Sequence, residues 1–372
     1  MNPKLNTIKL ETDSGLQRNI RNPLPEDQVE NYKKGLLGEY DFYTIFYDVF
    51  LLDDCTTIVA MGPPLLNLEA ALLPVTLNIN GRTLKFKTKI RHKYLSTLTA
   101  RLPDKLPDNH PVSAEISFAN GLKKTIHLQL PTPLRGNVIV ALQKDNKIEW
   151  IKDWVNYYRS QPYDENIVIY DNNSNNQAEV ISSMDGIASV IPWPFPYGII
   201  DRSGNKFCQV GAFNHFKARY ARDSLIFHFD IDELLVVKTK KAERAIYSNR
   251  QTRFNNFFVP YMAGMKKNYS FSDFSKRYAT ARNGAYKYVV RSDLRGVMTA
   301  HYFFPVPGFL YRLLPKKFSR GPILNTDDAY FLHYRGITKN WKKYFFDRFT
   351  EYEQYHQNLI DDFSVIDAFD DL

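Results

Sequence analysis

A chain of 372 residues exceeds what one hydrophobic core usually holds, so two domains are the default expectation. Hydrophobic content of 44% and aromatic content of 15% exclude a disordered chain, and the 24 Tyr and 26 Phe supply rings for core packing or for sugar faces. A net charge of +9 favours anionic partners such as nucleotide phosphates or anionic headgroups, whereas the 2 cysteines, Cys55 and Cys208, exclude a disulfide framework and a cysteine-based metal site.

The chain opens on Met1-Asn2-Pro3-Lys4 without the basic-then-apolar pattern of a signal peptide. Its most apolar run, Ile58 to Ile79, is interrupted by Pro63, Pro64, Asn67, Glu69 and Pro74. That falls short of the ~18 apolar residues of a membrane span. With few cysteines these features predict a cytoplasmic protein, and the positive charge leaves open a peripheral contact with the inner face of the membrane.

Residues 1–40 read as a polar arm. Val75, Leu77 and Ile79 then alternate with polar residues, Asn80-Gly81 supplies a tight turn, and Leu84, Phe86 and Ile90 resume the alternation. The device recurs, with Val112, Ala114, Ile116 and Phe118 before Asn120-Gly121 and with Ile126, Leu128 and Leu130 after it. With the arm, two such hairpins predict a small antiparallel β domain, sandwich-like, over 1–133. Pro131-Thr132-Pro133 reads as a linker.

After the linker the pattern changes. Asn137 to Leu142 is a continuous apolar strand, Lys147 to Arg159 carries apolar residues at helical spacing, and Asn166 to Tyr170 is a second buried strand. Ala188 to Ile191 reads as a third strand, Phe207 to Tyr220 has helical character, and Leu225 to Phe229 is another strand. This alternation predicts a mostly parallel, Rossmann-like α/β sheet over 134–345, with an acidic helix or tail over 346–372. Ligands of such sheets bind at the carboxyl ends of the strands, where Asp171 and Asp230 to Asp232 stand.

Asp230 and Asp232 are one residue apart, so on an extended strand they point to the same side. Converging carboxylates favour a hard divalent cation, Mg2+ or Mn2+, with substrate phosphates completing its shell. Ile191 to Tyr197 is a proline-fixed aromatic loop that reads either as a sugar shelf or as a packing plug. Pro315 to Arg320 mixes basic and aromatic residues and reads either as a lipid contact or as a solvated loop.

Four motifs follow in order: Ile169-Tyr170-Asp171-Asn172-Asn173-Ser174, Phe229-Asp230-Ile231-Asp232-Glu233-Leu234, Lys287-Tyr288-Val289-Val290-Arg291 and His333-Tyr334-Arg335. In this the stretch from Asn137 to Lys343 resembles glycosyltransferase family 92 and its bacterial relatives, which are similar to the inverting family 2 enzymes and share their GT-A fold. The resemblance implies transfer of a sugar, with inversion, from a nucleotide donor, a UDP-sugar foremost, to a glycan or lipid-linked acceptor in surface polysaccharide or glycoconjugate synthesis.

Carried over, it implies that Asp171 and Asn172 hold base and ribose and that Asp230, Asp232 and His333 hold the metal, with Asp230 also at the nucleotide. It places Glu233 behind the ligands as an acceptor, and Lys287, Arg291 and Arg335 on the diphosphate. Asp293 and His301 lie in the interval where such enzymes keep the general base. The family's Asn-Glu pair before the first helix is displaced here, in Lys144 to Glu149, and receives no role. A non-catalytic carbohydrate-binding or assembly protein on the same fold is the alternative. A nucleic-acid partner is not expected, because no recognised motif is present and the cations read as scattered.

Overall fold

The computed structural model describes residues 4–20, 39–106, 111–130, 132–162, 166–198, 206–260, 269–305, 321–337 and 359–362. The chain divides into two units, Pro3–Pro133 with Pro194–Ala221, and Met1–Asn2 with Leu134–Trp193 and Arg222–Leu372.

In the first unit β1 (Ile8–Lys9) pairs with β2 (Thr44–Phe46). Strands β3 (Asp48–Leu51), β4 (Thr57–Gly62), β5 (Thr76–Ile79), β6 (Arg82–Lys85), β7 (Lys87–His92), β8 (Leu95–Arg101), β9 (Val112–Ser117) and β10 (Lys123–Leu128) follow, with α1 (Leu68–Leu72) before β5. They form two antiparallel sheets of four strands, ordered β3-β4-β8-β7 and β10-β9-β5-β6. Asn80 and Gly81 take φ of 50° and 74°, the left-handed pair that a two-residue hairpin turn requires between β5 and β6. Leu98 and Ala100 from one sheet and Leu77, Ile116 and Ile126 from the other bury into a single core.

In the second unit β11 (Leu134–Gln143) leads through α2 (Ile148–Arg159) to β12 (Asn166–Asp171), and through α3 (Gln177–Ser183) to β13 (Ser189–Pro192); the three strands pair in parallel. Val138 to Ala141 are fully buried, as expected of a strand covered on both faces. The next helix, α4 (Cys208–Arg219), belongs instead to the first unit, where His215 and Arg219 reach Asp48 of β3. A division at 133/134 therefore does not describe segment 194–221.

The chain returns to the second unit at β14 (Ala221–His228). Ser224 Oγ donates to the Leu134 carbonyl at 3.2 Å, so β14 starts at the same edge as β11. Then come β15 (Glu233–Val237), α5 (Lys240–Ser248), β16 (Gln251–Val259), β17 (Lys276–Tyr278), β18 (Arg282–Arg291), β19 (Gly296–Met298), β20 (Phe303–Pro305), β21 (Ala329–Tyr334) and β22 (Leu359–Asp361). Eight strands make one sheet, β13-β12-β11-β14-β18-β16-β21-β15.

This sheet is mixed: β12 runs parallel to β11 and β13, and β16 parallel to β21, whereas β18 runs antiparallel to β14 and β16, and β15 antiparallel to β21. Parallel pairing needs a crossover, usually a helix, and the regular alternation of strand and helix ends at β14. Within the acidic C-terminal stretch, residues 359–361 form strand β22 on β17, with Asp362 bound to Arg277 and to the Tyr330 hydroxyl. Residues 346–358 and 363–372, and the basic segment 315–320, lie outside the described residues.

Candidate functional site

Strand β14 stops at His228, and the next residues turn. The Glu233 N–H donates to the Asp230 carbonyl at 2.9 Å, and the Glu233 carboxylate accepts the Asp230 N–H at 2.9 Å. Asp230 and Asp232 therefore do not alternate along a strand, because the two-residue period lapses where the backbone turns. That corrects the expected same-side pair. Lys287 of β18 enters the turn, with Nζ 2.7 Å from Asp230 and 2.8 Å from Glu233, and its side chain is fully buried.

The residues that converge are Asp232, Glu233 and His333, whose candidate ligand atoms all lie within 4.8 Å of one another. Register explains the meeting. Glu233 at the start of β15 stands opposite His333 near the end of β21, and Tyr334 N–H donates to the Asp232 carbonyl at 2.8 Å. His333 Nε2 lies 3.4 Å from Asp232 and Nδ1 lies 3.9 Å from Glu233. Two carboxylates and an imidazole are a donor set that suits Mn2+ or Mg2+. Glu233 belongs to this set and Asp230 does not, although both carboxylates pair with Lys287.

Burial pushes Glu233 up to about 7, against the opposing pull of Lys287. Burial alone would lower Lys287, but Asp230 and Glu233 outweigh it and raise the amine to about 12. His301 sits in the turn between β19 and β20, not on the returning strand, and feels the charges of Lys287, Asp230 and His333. Burial, reinforced by Lys287, lowers it to about 4, so its ring is neutral near pH 7. It hydrogen-bonds the Tyr286 carbonyl, and its buried Nδ1 has no hydrogen-bond partner among the described residues. Beneath the turn His228 is fully buried and driven well down by burial and Lys287.

Helix α2 fixes this turn. Strand β15 ends the sheet order, so its outer backbone groups need partners from elsewhere. Trp154 Nε1 and the Tyr158 hydroxyl donate to the Glu233 carbonyl at 3.2 and 3.1 Å, the Tyr157 hydroxyl donates to the Leu235 carbonyl at 2.6 Å, and Leu235 N–H donates to Tyr158 at 3.1 Å. The aromatic positions at helical spacing thus serve as packing and as supports for Glu233.

Asp171 ends β12 beside Gln143, at the carboxyl edge shared with β11 and β14. Its buried carboxylate accepts from Gln143, from Gln177 at 2.6 Å and from Ser174 N–H at 3.0 Å. Asn172 is buried and donates to the Trp193 carbonyl at 2.9 Å. Asp145, in the stretch with no assigned role, accepts Asn175 N–H of the same loop at 2.8 Å. Trp193, Phe195 and Tyr197 are all buried, so the loop from Ile191 packs as a plug and presents no open shelf.

Arg335 is half-buried and lies 4.9 Å from the Phe258 ring centroid; His333 lies 5.3 Å from the same ring. Arg282, an exposed cation that the sequence reading missed, lies 4.7 Å from it. No local signal marks Arg282, since only the pairing of β16 with β18 brings it to Phe258. Lys287 is buried beneath the carboxylates and is not placed as a free phosphate ligand. Arg291 pairs with Leu225 in the middle of β14, and its side chain meets Asp293 at 3.5 Å. Asp293 also meets Arg250 at 3.5 Å. Arg291 and Asp293 are thus not brought together with Asp232, Glu233 and His333.

No family model and no curated protein matches the chain. Among solved structures it overlaps S. aureus TarS 1-349 in complex with UDP at 13% identity and a TM-score of 0.30, over 53% of this chain and 60% of that one. It overlaps 4-diphosphocytidyl-2C-methyl-D-erythritol synthase at 9% identity and a TM-score of 0.28, over 52% of this chain and 89% of that one. TarS 1-349 in complex with UDP-GlcNAc overlaps at 14% identity and a TM-score of 0.26, over 43% and 46%. This chain therefore spans about 60% of the first of these structures. Overlaps this loose fix neither fold nor function.

Proposed function

We propose that the chain is a metal-dependent glycosyltransferase of the GT-A type, related to family 92, that moves a sugar from a nucleotide-diphosphate donor to a glycan or lipid-linked acceptor with inversion. The observation that carries this reading is the cluster of Asp232, Glu233 and His333 at a sheet edge shared with Asp171. A divalent cation bound there would supply Lewis-acid stabilisation of the departing diphosphate.

The chain's own groups would do the rest. Asp232, Glu233 and His333 hold the cation, and Lys287 keeps Asp230 and Glu233 in place. Arg335 and Arg282 flank Phe258 next to His333, where their charges face the phosphates of a UDP-sugar. Asp171 and Asn172 border the nucleoside end. In the transfer the acceptor oxygen bonds to the anomeric carbon as the bond from that carbon to the phosphate oxygen breaks. The acceptor proton passes to a general base, for which His301, close enough to Asp230 and His333 to feel their charges, is the candidate.

The test is nucleotide release from UDP-sugars with manganese present, in wild type and in Asp232→Ala. Undiminished, metal-independent turnover in the variant would refute the site. Glycan binding without any nucleotide release would favour a non-catalytic carbohydrate-binding protein.

A further inference from the structure

Read along the sequence the cations look scattered, yet the first unit gathers a block of them on two sheet edges. From Arg82 to Lys105 there are eight Lys and Arg against one acid, Asp104. Strands β6 and β7 are consecutive in the chain, and each is outermost in its sheet. Lys85, Lys87, Lys89, Arg91 and Lys93 occupy every second position, and all five are exposed. On an extended chain that spacing sets successive charges roughly 6–7 Å apart. A register shift between Thr88 and Ile90 breaks the alternation, so that Lys87 stands opposite Thr99 and Arg91 opposite Ser96, and the cations project to both sides of the β7 edge.

Arg82 meets Asp104 at 3.3 Å and Arg91 meets Glu69 at 2.9 Å, whereas Lys85, Lys87, Lys89 and Lys93 form no ion pair among the described residues. Such a set of like charges repels itself and concentrates positive potential along the edge. Lysines also keep an edge strand from pairing with another chain. That task is indifferent to sign, since glutamate blocks an edge equally well, and the stretch from Arg82 to Lys93 contains no acid.

We propose that this edge binds a linear acidic glycan, a polymer carrying carboxylate or phosphate groups on successive units. The choice of a glycan over other polyanions rests on the glycosyltransferase reading above. A lipid surface fits less well. The exposed large hydrophobic residues among those described, Ile181, Tyr247, Ile323 and Ile360, all belong to the other unit, so no apolar anchor flanks the block. Single-stranded nucleic acid needs stacking rings; here Phe86 is buried, and Tyr94 is half-buried with Lys93 Nζ 4.7 Å from its centroid.

The experiment measures binding of the full chain to polygalacturonate and to phosphorylated dextran, with neutral dextran, anionic phospholipid vesicles and single-stranded DNA alongside. Binding to at least one acidic glycan and not to neutral dextran is expected, with affinity falling steeply between about 0.05 and 0.2 M salt. Replacing Lys85, Lys87, Lys89 and Lys93 together with Gln should weaken it roughly tenfold or more and flatten the salt dependence. Replacing the four with Arg should preserve binding. If the Gln variant does not fold, the pairs Lys85→Gln with Lys87→Gln and Lys89→Gln with Lys93→Gln should each show part of the loss.

Undiminished glycan binding in folded variants would overturn the proposal, and aggregation of those variants would assign the lysines to edge protection. Preferential retention on vesicles or DNA, lost with the same lysines, would also overturn it. Nucleotide release is assayed separately: its absence with lysine-dependent glycan binding intact would sink the enzymatic reading and leave the edge standing.

Discussion

Lys287 Nζ stands 2.8 Å from the Glu233 carboxylate, and both side chains are withdrawn from solvent. Asp230 completes the arrangement from the other side at 2.7 Å. Desolvating such charges is costly unless each has a partner, so the lysine holds together carboxylates that would otherwise repel. Asp232 and His333 lie beside this Glu233, in the set proposed above to hold a cation.

Removing that lysine should therefore damage the fold before it damages any chemistry. Lys287→Met leaves two carboxylates without their buried counter-charge and is expected to cost about 3–5 kcal/mol. Urea denaturation measures this. Lys287→Met combined with Glu233→Met should be less destabilised than Lys287→Met alone; equal stability of wild type and the single variant would refute the pairing.

Asp232→Ala should behave in the opposite way. Asp232 lies close to Glu233 and His333, whereas Lys287 pairs with Asp230 and Glu233. Its removal relieves repulsion, so the melting temperature should hold or rise while manganese affinity falls by more than about 100-fold, beyond the usual cost of losing a merely supporting residue. Calorimetric titration with manganese decides the matter, and unchanged affinity would exclude Asp232 as a ligand.

Tyr158→Phe separates support from ligation. Its hydroxyl donates to the Glu233 carbonyl and accepts Leu235 N–H, so the change strands two groups on β15 at a cost of about 1–3 kcal/mol. Manganese affinity should also fall, by less than in Asp232→Ala, because Glu233 loses part of its anchorage. A variant as stable as wild type would mean that the edge strand does not depend on α2.

Much of this was legible in local sequence. Asn80-Gly81 specifies its hairpin because left-handed backbone is a property of those two residues. Val138 to Ala141 announces a strand covered on both faces. Asp232 and His333 were legible as partners through their motifs, but the role of Lys287 was not. Its cue, a cation inside the apolar alternation of β18, signals a buried counter-charge without saying which carboxylate supplies it. Nor could spacing distinguish Lys287 from Arg291. Four residues along a strand separate them by roughly 13 Å, so the antiparallel run of β18 carries Arg291 back along β14 to Leu225, away from the turn after His228. Asp230 was misread because the strand ends at His228, which no apolar pattern reveals.

The last prediction concerns acid stability in the first unit. Asp48 is buried against His215 Nε2 at 2.9 Å and against Arg219. Burial alone would raise the Asp48 carboxyl, but the His215 hydrogen bond and the Arg219 charge together hold it below its ordinary 3.8. Its contribution is thus present above pH 3.8 and lost as pH falls through the lower folded value. Burial lowers His215 below its ordinary 6.5, so below that pH the unfolded chain takes up a proton that the folded chain refuses. Stability should therefore begin to fall below pH 6.5, long before the carboxylate titrates. His228 and His301 act in the same direction, and Glu233, raised to about 7, acts in the opposite one, so the His215 contribution is read from the difference between His215→Gln and wild type between about pH 7 and 5. Urea midpoints at several pH values measure both slopes, and the variant should lose stability less steeply with acid. Equal slopes would show that His215 binds a proton as readily folded as unfolded.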